Sequence, residues 1–296
     1  MNIEYHRLAY RHVDVFSKNP FSGNGLTVFP DSNGVSVQMM QLITQEMRQF
    51  ESIFLKVQPS SSLIQASIFT MEEELDFAGH PVLGAACVLH EHMAENRQEA
   101  EWQFHLTSGI IPVTTRRQEN WYTATMEQGR PIFGAVASQE IQSPVLEALN
   151  LSHEFLYENV PMQMVSTGLP YLLVVLKHGL EQARIIHSDF AGLLAQIGAK
   201  FVYVFDLPTM EGRTWDNAGR VEDIATGSAA GPIGAYLVRY GKAQAGQDII
   251  LHQGSFVGRP SQITVHVTGT SDAITSVQVS GDVAMVASGV IDPPVR

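Results

Sequence analysis

The chain has 296 residues, more than one core of about 100–200 residues serves well, so two domains are expected. Its formal charge of −12, with only 18 Lys and Arg, argues against nucleic acid as a partner, because phosphate binding draws mainly on clustered basic side chains. The single cysteine, Cys87, excludes an internal disulfide and any Cys-cluster metal site.

No stretch reaches the roughly 18–20 apolar residues of a membrane span, and the first residues lack the apolar core of a signal peptide. A cytoplasmic protein with no membrane partner is therefore expected. With 45% hydrophobic and 16% charged residues and no low-complexity tract, the chain reads as globular throughout.

In chain order, HVDVF (12–16) and LTVF (26–29) predict two strands joined by the turn-rich KNPFSGNG, with Asn24 at the hairpin tip. Met39, Met40, Ile43, Met47 and Phe50, three and four apart, predict an amphipathic helix over 36–50 that Ser36 caps. SIFLKV (52–57) follows as a strand, which sets Glu51 at a helix-to-strand junction.

Residues 63–70 read as another strand. From His80 to Met93 the residues are apolar or small on nearly every face, so a helix there, roughly 20 Å long, has no solvent side and must be enclosed. IATGSAAGPIGAYLVRY (224–240) has the same character and ends at Gly241, a C-cap residue.

Placing AGHPVLGAACVL over TGSAAGPIGAYL aligns Gly79 with Gly227, His80 with Ser228 and Leu89 with Leu237, 148 residues apart, half the chain. That spacing suggests an internal duplication. Strand-like runs TSGIIPVTTR, WYTATME, MQMVSTG, YLLVVLK, FVYVFDL, DIILHQG and SQITVHVTG are enough to wrap a sheet around each helix. The expected fold is α+β: two similar domains, each a barrel-like mixed sheet around a central buried helix. The domains are expected to span 1–125, with the last ten or so residues of the chain as a possible addition, and 126–296. GRPIFGAVASQEIQSP reads as a connection, with a fresh amphipathic pattern near Pro144.

Buried helices opening at Ala78–Gly79 and Thr226–Gly227 would present unpaired N–H groups and the positive ends of two dipoles, which suits a substrate carboxylate. The alternative is that the glycines only permit close packing. The polar set near these entrances is Asn24, Glu51, His80, Asp223 and Ser228, the residue types of an acid–base site. Each also has a structural explanation: Glu51 a helix-end surface acid, His80 and Ser228 caps, Asp223 an Asx-turn residue. Cys87 lies about two turns inside its helix, so the chain lacks the paired thiolates of some racemases.

The strings FSGNGLTVF, ESIFLKV, LDFAGHPVLGAA, STGLPYLLV, VEDIATGSAAG and QGSFVGRPS, in this order through almost the whole chain, resemble the PhzF-like family of phenazine-biosynthesis isomerases, within the diaminopimelate epimerase-like fold. The resemblance implies an active site between two similar domains, no metal, no organic cofactor and a homodimer. It puts the catalytic glutamate at Glu51, the histidine of a GH motif at His80, and the aspartate and serine of an EDxxTGSA motif at Asp223 and Ser228. By the same resemblance Asn24, Ala78, Gly79, Thr226, Gly227 and Ser228 line the substrate, and the substrate is a small carboxylated molecule such as a dihydro-hydroxyanthranilate. Glu51 would take a proton from carbon and return it elsewhere along a diene, while Asp223 and His80 hold the amine and hydroxyl. Two positions depart from the pattern: Ile224 stands where proline usually follows the acidic pair, and Gly25 where proline often follows the asparagine.

Competing readings are weaker. GSAAG lacks the G-x-S-x-G spacing of a serine-hydrolase elbow. His90 and His92 diverge by about 200° on a helix and no HExxH occurs, against a metal site. A silent carboxylate-metabolite binding protein of the same fold is the non-enzymatic alternative.

Overall fold

The structure, a computed structural model, describes residues 7–57 and 63–292. The chain divides into two compact units. One holds the described residues up to Glu127 together with those from Ser280 on; the other runs Gln128–Val279.

The first unit contains β1 (Leu8–Val15), β2 (Asn24–Phe29), α1 (Val37–Met47), β3 (Glu51–Val57), β4 (Leu63–Phe69), the short β5 (Glu74–Leu75), α2 (Gly79–Met93), β6 (Glu99–Leu106), β7 (Gly109–Arg117) and β8 (Tyr122–Gly129). The second contains β9 (Ile132–Val136), α3 (Gln139–Ala148), β10 (Gln163–Ser166), β11 (Pro170–Leu176), α4 (Phe190–Ala195), β12 (Phe201–Asp206), β13 (Glu211–Arg213), α5 (Gly227–Arg239), β14 (Asp248–Gln253) and β15 (Ser261–Thr270). The last strand, β16 (Ala273–Ile291), is divided between them at Val279.

In the first unit the strand order β1-β2-β3-β4-β6-β7-β8-β16 closes through a β1–β16 pairing into an eight-stranded barrel. Two pairs are parallel, β2 with β3 and β4 with β6, and a helix makes each crossover. Those two helices take opposite sides of the sheet. α1 lies outside, where Met40 and Ile43 meet Phe29, Phe54 and Phe69. Phe29 and Phe54 stack at 4.5 Å and Phe69 meets Phe54 edge-on at 5.7 Å, arrangements worth about 0.5–1.5 kcal/mol each beyond burial. Ser36 caps α1, its side chain accepting from the Met39 N–H as expected, and Arg48 ends the helix in the left-handed region at φ 57°.

α2 runs through the barrel and packs against β1, β2, β3, β6 and β7. Every residue from Gly79 to His90 is buried, which explains why the sequence shows no polar face there. Gly84 is where the helix touches the wall: a Cβ would lie 2.5 Å from Leu26 Cδ2 and 3.0 Å from Val15 Cγ2.

The second unit repeats the plan. Its order is β16-β15-β14-β13-β12-β11-β10-β9, with β11 parallel to β12 across α4 and β13 parallel to β14 across α5. α5 packs on β15 toward one end of that order and on β10 and β11 toward the other, so the sheet curls around it. α3 and α4 cover the outer face, where Val145, Leu146, Phe190 and Leu194 bury Leu172, Val174, Val202 and Val204. The other residues of the strand repeat, Tyr171, Leu173 and Val175, are buried as well, so β11 is covered on both faces.

Two expectations change. GRPIFGAVASQEIQSP is more than a connection: it holds β9 and the start of α3, with Pro144 inside the helix rather than ahead of it. Asn24 is not at the hairpin tip but is the first residue of β2, paired with Val15 and fully buried. The described residues from Ser280 on fall with the first unit, where β16 pairs with β1 along Val283–Ile291.

Candidate active site: two helix starts

In the first unit, α2 begins at Gly79 with Ala78 extended before it, and no side chain caps it. Its first N–H groups therefore lack the usual side-chain acceptor. Strand register brings the acid to this point. Glu51, first in β3, lies opposite Leu26 of β2, and Leu26 touches α2 at Gly84, about one turn beyond the helix start. His80 Nδ1 then stands 3.6 Å from Glu51 Oε2, with the two residues only 5% and 6% exposed. His80 Nε2 is buried and has no hydrogen-bond partner among the described residues. Asn24 is buried in β2 two residues before Leu26.

Burial lowers the His80 pKa from 6.5 to about 3. A carboxylate at 3.6 Å would favour the imidazolium, but this distance is long for a hydrogen bond, and desolvation of a fully enclosed ring outweighs it. The pair is therefore a neutral imidazole beside a carboxyl group, and the positive end of the α2 dipole acts in the same direction. Cys87, two turns further in, is fully buried, and burial pushes its thiol well above the ordinary value, with Asp282 adding to the effect. His90 belongs to the core, with Nδ1 2.7 Å from Thr115 Oγ1 and Nε2 3.1 Å from the Arg97 carbonyl.

In the second unit, α5 begins at Gly227, the residue aligned with Gly79, again without a side-chain cap. The Thr226 side chain does not cap; its hydroxyl accepts from Gln253 Nε2 and donates to Asp223 Oδ2. The Asp223 N–H donates to the Thr214 carbonyl (3.0 Å). Ser228 Oγ is 2.8 Å from the Tyr171 hydroxyl rather than from an imidazole, which removes the geometric basis for a hydrolase triad. The Gly227 carbonyl accepts from Gln128 Nε2 (3.0 Å), and Gly231 makes room, since a Cβ there would fall 2.0 Å from Gln128 Oε1.

The structure thus gathers Asn24, Glu51, Ala78, Gly79 and His80 in one unit and Asp223, Thr226, Gly227 and Ser228 in the other. Sequence reasoning missed four residues of the second helix start: Gln128, Tyr171, Tyr203 and Gln253. It also missed Arg213, which holds Glu222, the neighbour of Asp223, through bonds of 2.9 and 2.6 Å. Only the string QGSFVGRPS carried a signal for Gln253, and it carried no chemistry.

Both departures from the resemblance have a visible setting. A Cβ at Gly25 would lie 2.7 Å from Gln49 Oε1, so the Gln49 side chain takes up space beside that residue. The Ile224 carbonyl lies close to Gly254, where a Cβ would approach it to 2.7 Å. Among the described residues no group of three or more His, Cys, Asp or Glu is arranged to hold a metal ion, and no helix is long and apolar enough to cross a membrane.

Mixed sheets wrapped around an enclosed helix place the chain in a fold shared with solved epimerases. A hydroxyproline epimerase from Agrobacterium vitis shares the fold at 13% identity, with a TM-score of 0.65 over 97% of this chain and 94% of its own. A predicted epimerase from Pseudomonas aeruginosa is nearer, at 44% identity and a TM-score of 0.89 over 96% and 99%. A trans-2,3-dihydro-3-hydroxyanthranilate isomerase of Pseudomonas chlororaphis is 33% identical over 293 residues, 95% of this chain and 98% of that protein. The chain belongs to the phenazine biosynthesis-like family PhzC-PhzF, whose model matches residues 13–289, and it is an isomerase of that family.

Proposed function

We propose that this isomerase moves a proton between carbon atoms of a small carboxylated substrate, a cyclic amino acid of the dihydro-hydroxyanthranilate type, by acid–base chemistry that needs no cofactor. Glu51 takes the proton from one carbon and returns it to another along the conjugated system, so that no atom is gained or lost. A single carboxyl group is enough for that shuttle.

The observation that carries this reading is the buried Glu51 beside a neutral His80 at an uncapped helix start. A neutral imidazole can donate or accept a hydrogen bond to a substrate hydroxyl or amine without holding Glu51 in a fixed ion pair. The N–H groups of Gly79 and His80 at this start suit the substrate carboxylate. Asp223 and Ser228 are proposed to hold polar groups of the same substrate. The sequence supports this, since the two helix starts fall in aligned strings 148 residues apart.

The test follows hydrogen–deuterium exchange at carbon by NMR in deuterated water. The candidates are trans-2,3-dihydro-3-hydroxyanthranilate and a panel of cyclic and acyclic amino and hydroxy acids. Exchange with one compound that disappears in Glu51→Gln, while binding persists, is the expected result. A compound that binds but exchanges in neither protein would make the chain a carboxylate-binding protein instead.

A further inference from the structure

Gln253, the last residue of β14, is 1% exposed and uses its whole hydrogen-bonding capacity at the start of α5. Its Oε1 accepts from the Thr226 N–H and from the Tyr203 hydroxyl, each at 3.2 Å. Its Nε2 donates to the Asp223 carbonyl at 2.9 Å and to Thr226 Oγ1 at 3.0 Å. Two acceptor and two donor places are all that a glutamine amide offers. A backbone N–H can only donate, so the Thr226 N–H fixes which end of the amide is oxygen.

That orientation sets the next bond. Because Thr226 Oγ1 accepts from Gln253, its own proton is directed to Asp223 Oδ2. Gly254 brings the strand end close enough for this contact, with φ at +88° and a Cβ position only 2.7 Å from the Ile224 carbonyl. From these bonds we infer that Gln253 is a positioning residue that aims the Asp223 carboxylate through the Thr226 hydroxyl, with Tyr203 as its outer anchor. The catalytic consequence rests on the proposed role of Asp223; the positioning itself does not. Titratable and charged groups around this chain are Tyr203 on β12, Tyr171 on β11, Glu211 on β13 and the Glu222–Arg213 pair.

The test has two arms on the full-length protein. In the first, carbon-13 NMR follows the Asp223 carboxyl through a pH titration in the wild type, Gln253→Met and Tyr203→Phe. Without Gln253 the Thr226 hydroxyl is free to turn away, and a carboxylate that loses a donor protonates more readily. The expected result is a rise in the Asp223 midpoint of about one pH unit in Gln253→Met and a smaller rise in Tyr203→Phe. An unchanged midpoint in a folded variant overturns the inference. If Gln253→Met does not fold, Tyr203→Phe alone decides, since it removes only the outermost bond.

The second arm measures deuterium exchange into trans-2,3-dihydro-3-hydroxyanthranilate in the single variants and in the Asp223→Asn background. A loss of about tenfold in Gln253→Met that vanishes when Asp223 is already asparagine is expected of a residue acting through Asp223. Losses that multiply overturn it. Full exchange by Asp223→Asn would remove Asp223 from the proposed mechanism while the titration still decided the positioning.

Discussion

His80 and Glu51 stand 3.6 Å apart without forming an ion pair, because burial holds the imidazole neutral. The folded-state pKa of about 3 lies below the ordinary 6.5, so between those values the unfolded chain binds a proton that the native protein does not. Stability is therefore lost as pH falls through this window. Relative to His80→Asn, the wild type is expected to lose about 2 kcal/mol more on going from pH 7 to pH 5, read by urea denaturation. Parallel pH profiles for the two proteins would mean that His80 takes up its proton alike in the folded and unfolded states.

Arg213 and Glu222 form a bidentate pair, each side chain about 10% exposed, with the guanidinium 4.8 Å from the Trp215 ring and 4.3 Å from the Phe256 ring. Arg213 also donates to the carbonyls of Leu180 and Ala183. Arg213→Met leaves a carboxylate buried without its partner and is expected to destabilise the second unit by about 3–5 kcal/mol. Adding Glu222→Met should recover part of that loss. Chemical denaturation of the single and double variants measures both, and a single-variant cost under about 1 kcal/mol would contradict the burial argument.

Gly254→Ala should be costly where Gly25→Ala is not. At Gly254 the new Cβ meets two backbone carbonyls, Arg259 at 2.3 Å and Ile224 at 2.7 Å, in the left-handed region. At Gly25 the nearest obstacle is the end of the Gln49 side chain, which can rotate away. The expected costs are more than about 1 kcal/mol and less than about 1 kcal/mol respectively, from thermal or urea unfolding. The reverse order would show that the backbone around residue 254 yields.

Cys87 should resist iodoacetamide under native conditions and react once the protein is unfolded, since its thiol is enclosed and its thiolate disfavoured. Mass spectrometry of the labelled protein distinguishes the two. Native labelling at a rate near that of a free thiol would mean that α2 leaves the barrel readily.

The two buried helices were legible because an enclosed helix writes its environment into every residue, and both begin at the aligned glycines, Gly79 and Gly227. Glu51 was legible as a junction residue because the apolar spacing of α1 stops just before it. β6 passed unnoticed although Ala100, Phe104 and Leu106 are buried, since the polar Glu101, Gln103 and His105 stand between them and break up the apolar run. β9 and the first turn of α3 were hidden by glycine, proline and serine, residues that usually mark loops, although the amphipathic pattern near Pro144 showed. Gln253 was illegible for another reason: its partners lie 27 to 50 residues away in sequence, and a polar side chain that serves distant loops leaves no periodic trace.

The uncapped glycine starts of α2 and α5 have a consequence for how such a protein changes its chemistry. In each unit the residue after the glycine, His80 or Ser228, is the first side chain that the helix presents, and the glycine before it has no side chain with which to bond the helix end. Replacing that one residue changes the side chain at the helix start at a position that takes no part in strand pairing. Each unit thus has a socket whose tip is one side chain, set by a single codon and independent of the strand ladder around it.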